Sequence, residues 1–132
     1  MIEINNLTKG YRVGRVDKKI FSTVAKKVLL GENRRTESIS VAFVSKAEIK
    51  KLNKKFRKKN RATDVLSFEL KDGKSLGEIV ICPEVVKEKQ EDIIKVFVHG
   101  ILHLCGYDHE KSKKEAEEME IKQEKYLSKV KY

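Results

Sequence analysis

The sequence predicts a single domain of the α+β class, close to α/β, in which helices pack on a small mixed sheet. Three observations predict it. Short β-branched runs alternate apolar and polar residues, as half-buried strands do. Between and after them, apolar residues recur at the helical spacing of three or four. The 132 residues contain no internal repeat, low-complexity tract or linker, and suffice for one core without help from disulfides.

Ile2 to Asn5 alternates and predicts a first strand, followed by a loop through Gly10 and Gly14. Asp17 is placed to cap a helix through Ile20, Phe21, Val24, Val28 and Leu29 that ends at Gly31. Ser38 to Ser45 is β-branched and alternating, a second strand. Ser45 and Glu48 then form a capping box, whose hydroxyl and carboxylate satisfy amides left free at a helix start. The helix they open carries Ile49, Leu52, Asn53 and Phe56 on one side and is expected to end near Lys59. Val65 to Leu70 and Leu76 to Cys82 predict a hairpin, joined by the turn residues Lys71, Asp72, Gly73 and Lys74. Pro83 stops its second strand. One long helix is expected from about Val85 to Cys105, through Ile93, Ile94, Phe97, Val98, Ile101 and Leu102. A last helix, from about Ser112 to Lys129, runs through Ala116, Met119, Ile121 and Leu127.

Thirty Lys and Arg against twenty Asp and Glu leave a net charge of +10, which points to a polyanionic partner if the excess is clustered. It is clustered. Between Lys46 and Arg61 stand nine basic residues and one acid, Glu48. The tail from Glu110 to Lys131 is as charged but mixed in sign, as in a solvated helix. No apolar stretch approaches the roughly 20 residues of a membrane helix, so no membrane partner is expected. Cys82 and Cys105 lack the spacing of a disulfide framework, and no charged and apolar leader opens the sequence. A reduced, cytoplasmic protein is the expectation.

All three histidines fall within the eleven residues from His99 to His109. On a helix, His99 and His103 stand one turn apart on one face and can meet a single ion. Gly106 can adopt positive φ, end the helix and bring His109 back to the same ion. Three imidazoles leave tetrahedral zinc one open position, where bound water becomes acidic near neutral pH. An open position implies catalysis rather than a structural clamp. The spacing H-x-x-x-H-x-x-G-x-x-H is that of metzincin proteases, in which glutamate follows the first histidine as general base. Here that position is Gly100, so the proton acceptor of a peptidase is missing. Cys105 points away from the shared face and reads as a small apolar residue. Asp108 can orient an imidazole, accept a proton or cap the following helix, the first and last being the simpler roles.

With these residues in view, the chain resembles the YbeY family of bacterial ribosomal RNA maturation endoribonucleases. The segment from His99 to His109 is similar throughout to that family's H-G-x-L-H-L-x-G-Y-D-H motif. Leu52 to Arg57 and Thr63 to Phe68 resemble its L-N-x-x-Y-R and T-D-V-L-S-F segments, and Leu76 to Pro83 a weaker third block. Phe56 stands where the family has Tyr, Lys58 for Gly, Asn60 for Asp, Ala62 for Pro and Glu78 for the usual Asp. The resemblance implies a mixed four-stranded sheet, one zinc held by His99, His103 and His109, and cleavage of single-stranded RNA. It also implies work on the 3′ end of small-subunit ribosomal RNA precursors and on ribosome quality control, with the small subunit and its proteins as partners. His99 is implied to be catalytic as well as a ligand.

Phosphodiester hydrolysis also needs charge stabilised on the phosphoryl oxygens, and the planar fork of Arg57 is suited to that role. Lys54, Lys55, Lys58, Lys59 and Arg61 are placed to hold the strand by salt-sensitive phosphate contacts. Ser67, with Phe68, is expected at the cleft floor, and Asp108 and Ser67 as supports behind the reacting groups. Two alternatives stand beside this reading: a zinc hydrolase of another substrate or degenerate peptidase, and a non-enzymatic ribosome assembly factor with structural zinc. Divalent ions other than zinc also suit the site, and the pattern says nothing of oligomeric state.

Overall fold

A computed structural model describes residues 2–6, 18–34, 38–70, 75–108 and 110–129. Its elements run β1 (Ile2–Asn6), α1 (Lys18–Gly31), β2 (Ser38–Phe43), α2 (Lys46–Arg57), β3 (Val65–Glu69), β4 (Ser75–Ile81), α3 (Pro83–Glu88), α4 (Ile93–Leu104) and α5 (Lys113–Ser128). The expected loop through Gly10 and Gly14, the cap Asp17 and the turn from Lys71 to Lys74 lie outside the described residues.

The four strands form one mixed sheet in the order β1-β2-β4-β3. β1, β2 and β4 are parallel, and β3 closes the edge antiparallel to β4, opposing Ser67 to Ile79 and Phe68 to Glu78. The expected hairpin is thus present. Beyond a register shift at Ser38 and Ile39, side chains of the two central strands alternate between the faces. Ile39, Val41, Phe43, Ile79 and Ile81 enter one core, while Ala42, Val44, Val80 and Cys82 enter another on the opposite face. That period of two puts helices on both sides of the sheet.

The larger core is covered by α1 through Phe21, Val24 and Val28, and by α4 through Ile94, Phe97, Val98 and Ile101. Phe21 makes edge-to-face contacts with Phe43 and Phe97, at centroid distances of 5.2 and 5.0 Å. α5 packs behind α4 with Met119 and Tyr126. The smaller core is closed by Ile49 of α2 and Val85 of α3. Ser45 caps α2 as expected, its hydroxyl accepting from the Glu48 amide at 3.2 Å.

Three expectations need correction. The single long helix is two, α3 and α4, because Gln90 takes positive φ (56°) and the Asp92 carboxylate caps the Ile94 amide at 2.9 Å. A short polar side chain ahead of an apolar run starts a helix, and the apolar period alone concealed it. Ile121 is 68% exposed, and the buried stripe of α5 is Met119, Gln123 and Tyr126. Phe56, expected on the buried side of α2, is 54% exposed. α2 itself ends at Arg57, where Lys58 turns left-handed (φ 58°) and donates to the Asn53 carbonyl.

Candidate active site

α4 lies against the sheet because Gly100 is buried there. A β-carbon at that position would stand 3.0 Å from Ile79 Cγ2 and 3.4 Å from Ser67 Oγ. The Ser67 hydroxyl instead donates to the Gly100 carbonyl at 3.3 Å, tying β3 to α4. Gly100 therefore faces the sheet, where a side chain would crowd Ile79 and Ser67. The histidines on either side face elsewhere. His99 and His103 are half-buried, with ring centroids 4.9 Å apart and planes at 74°. Two imidazoles sharing a tetrahedral zinc at the usual bond length have centroids roughly 5 Å apart.

His99 Nδ1 is 2.6 Å from Gln123 Oε1, and Gln123 Nε2 donates to the Glu120 carboxylate at 2.9 Å. A carboxylate only accepts, so the amide nitrogen must face Glu120 and the amide oxygen must face His99. The His99 proton then sits on Nδ1, and the lone pair of the neutral ring is on Nε2. Metal-binding histidines commonly donate their other ring N–H to a carbonyl in this way. Gln123 escaped sequence reasoning. Its signal was a polar residue at helical spacing between Met119 and Tyr126, and it is 4% exposed.

α4 ends in a Schellman turn. The Gly106 amide donates to the His103 carbonyl at 3.0 Å and the Tyr107 amide to the Leu102 carbonyl at 3.1 Å. Gly106 takes φ +107°, with no atom near the place of a β-carbon, so the demand for glycine is conformational rather than steric. Beyond it the chain is anchored. The Tyr107 hydroxyl donates to Glu32 at 2.8 Å, the Tyr126 hydroxyl donates to the same carboxylate, and Lys122 Nζ lies 3.5 Å from it. Burial pushes the Glu32 pKa up, but the two hydroxyls and Lys122 outweigh it and hold the carboxyl below its ordinary value. Burial first, and Glu32 second, push Tyr107 up to about 12 and raise Tyr126 as well. Asp108 accepts from the Glu110 amide at 2.9 Å, closing a local turn, while Ser112 caps α5. His109 lies outside the described residues.

From the other side, Arg57 reaches over β3. Its Nη2 donates to the Ser67 carbonyl at 2.7 Å, and the guanidinium carbon is 5.8 Å from the Phe68 ring centroid. Between α2, β3, α4 and α5 opens a cleft of about 980 Å³. It collects Arg57, Lys59, Arg61, Ser67, His99, His103 and Asp108 of the expected residues, and Gln123 besides. Lys54, Lys55 and Lys58 are exposed on the same helix end but do not line it. Asp64 and Glu91 line its far part, where burial first, and Asp64 second, raise the Glu91 pKa. No helix among the described residues is long and apolar enough to cross a membrane, and Cys82 and Cys105 are free thiols.

The cleft of this α+β fold gathers an imidazole pair and an arginine, side chains suited to hydrolytic chemistry. The family model described as Endoribonuclease YbeY matches residues 3–131. A protein of Bdellovibrio bacteriovorus named Endoribonuclease YbeY is 48% identical over 102 residues, covering 71% of this chain and 67% of that one. One of the same name from Thermotoga neapolitana is 39% identical and covers 98% and 89%. The solution structure of TM1509 from Thermotoga maritima superposes with a TM-score of 0.60 at 37% identity, covering 96% and 87%. The chain belongs to the endoribonuclease YbeY family, and the enzyme class is that of an RNA-cleaving hydrolase.

Proposed function

We propose that this chain hydrolyses phosphodiester bonds in single-stranded RNA with one divalent ion, zinc in the first instance, held by His99, His103 and His109. The observation that carries the reading is the His99 and His103 pair, one turn apart beside the same cleft as Arg57. Their centroid spacing and the carbonyl-bound Nδ1 of His99 are what a shared ion requires. Bound there, the ion supplies Lewis acidity at the scissile phosphate.

The chain's own groups do the rest. Gln123 holds the His99 ring in one tautomer. Arg57 uses part of its five-donor fork on the Ser67 carbonyl and turns the remainder to the non-bridging phosphate oxygens, where charge develops. Lys59 and Arg61 hold neighbouring phosphates without reading sequence, so binding weakens steeply with salt. The substrate in the cell is the 3′ region of a small-subunit ribosomal RNA precursor, met in the cytoplasm on the small subunit.

Purified protein assayed for metal content and for cleavage of unstructured RNA tests this. His103→Ala should lose stoichiometric metal and cleavage, and Arg57→Ala should keep the metal but cleave far more slowly. Metal-free wild-type protein with undiminished cleavage would sink the site, and hydrolysis of casein rather than RNA would sink the substrate.

A further inference from the structure

Phe56 is an anomaly: a large apolar ring, 54% exposed, at the lip of a cleft otherwise rimmed by charge. It is not loosely placed. Its ring meets Phe68 edge-to-face, with centroids 5.3 Å apart and planes at 69°. Phe68 in turn packs against the smaller core and carries the Arg57 guanidinium 5.8 Å from its centroid. Arg57 is further fixed to the Ser67 carbonyl. Adjacent residues of α2 thus present an oriented aromatic surface and an oriented cation, both referred to the same strand.

We propose that Phe56 is a stacking platform for one nucleobase of the bound single strand, seating the adjoining phosphate toward Arg57. This rests on the nuclease reading above and names a subsite of it. Aromatic rings interleaved with cations are how proteins hold single-stranded nucleic acid without reading sequence, because every base has a π-face and every linkage a charge. The surroundings of Phe56 have that composition: Lys54, Lys55, Lys58, Lys59 and Arg61 are all exposed. A protein partner would ask for the reverse, since lysine is depleted where aromatic anchors bury themselves in protein interfaces. Lys55 Nζ stands 5.2 Å from the Phe56 centroid. At an exposed site that cation–π contact is weaker than base stacking, so a base displaces the ammonium toward a phosphate. Duplex RNA cannot use the platform, because its bases are already stacked on one another. Preference for single strands follows from the same ring.

The 132-residue chain contains no tryptophan, so Phe56→Trp installs a sole indole reporter in it. The probes are a short 2′-O-methyl oligoadenylate and inorganic polyphosphate of matching charge. Oligoadenylate should quench the indole and polyphosphate should not. Phe56→Ala should bind oligoadenylate roughly tenfold more weakly by fluorescence anisotropy and bind polyphosphate as the wild type does. Equal quenching by both polyanions, or undiminished oligoadenylate affinity in Phe56→Ala, would overturn the stack and leave the nuclease reading standing. Base-dependent quenching without RNA cleavage would do the opposite. Failure of wild-type protein to bind oligoadenylate at all would remove both.

Discussion

Two polar networks flank the end of α4, and they are built for different ends. On one side, Glu32 sits with its side chain 9% exposed, bound by two tyrosines and a lysine, and one of those tyrosines lies on the turn that follows α4. On the other, Gln123 links His99 to Glu120, and the histidine remains beside the open cleft. The first satisfies a buried charge from several directions, and its product is a fixed backbone. The second is a single line of hydrogen bonds whose product is the direction of one imidazole. Stability should therefore concentrate in the first and function in the second.

The largest effect is expected from Glu32→Ala. Two hydroxyls lose their acceptor at about 1–3 kcal/mol each, so a loss of about 3 kcal/mol and roughly 10 °C in Tm should appear in urea and thermal melts. A change within the error of the melt would mean that the knot is decorative. Gln123→Ala should reverse the pattern: a smaller shift in Tm, but metal binding weakened by about 10- to 100-fold in a chelator competition. Equal losses of stability in the two variants would erase the contrast.

The pH dependence sharpens it further. The Glu32 carboxyl is held below its ordinary value of 4.5, so it binds fewer protons folded than unfolded. Its contribution is therefore present above 4.5 and is lost as pH falls through the lower, folded value. Wild type should exceed Glu32→Gln in stability at neutral pH, and the gap should close on acidification below 4.5. A gap that persists in acid would assign the effect to packing instead of charge. The smallest change is expected outside both networks. Lys58 occupies a left-handed position (φ 58°), so Lys58→Gly should stabilise by about 0.5–1 kcal/mol, and destabilisation would locate a side-chain contact that outweighs the backbone strain.

Much of the frame was legible because it depends on near neighbours in the chain. Ile39, Val41 and Phe43 against Ala42 and Val44 show their two faces by alternation alone. Ser45 announces the start of α2 and Gly106 the end of α4, since each answers a need of the one turn beside it. The spacing of His99 and His103 places them on one helical face whatever surrounds the helix. Asp92 was equally local, yet it was hidden by a continuous apolar period that reads the same across α3 and α4.

The rest was decided by which elements pack together. Gln123 is 24 residues from His99, Ser67 is 33 from Gly100, and Glu32 is 75 from Tyr107. No periodicity links such pairs, because their meeting depends on how α5, β3 and α1 settle around α4. The exposure of Phe56 belongs here too: helical spacing puts it with Ile49 and Asn53, yet it meets the Phe68 ring edge-to-face and stays 54% exposed. The sequence by itself determined the strands, the shared helical face of the histidine pair and the glycine that turns the chain after it. Only the tertiary structure decided which tautomer His99 holds, which face Gly100 presents to the sheet and which aromatic ring stands at the mouth of the cleft. Local pattern governs how a segment curls, and contact between distant segments governs what each side chain meets.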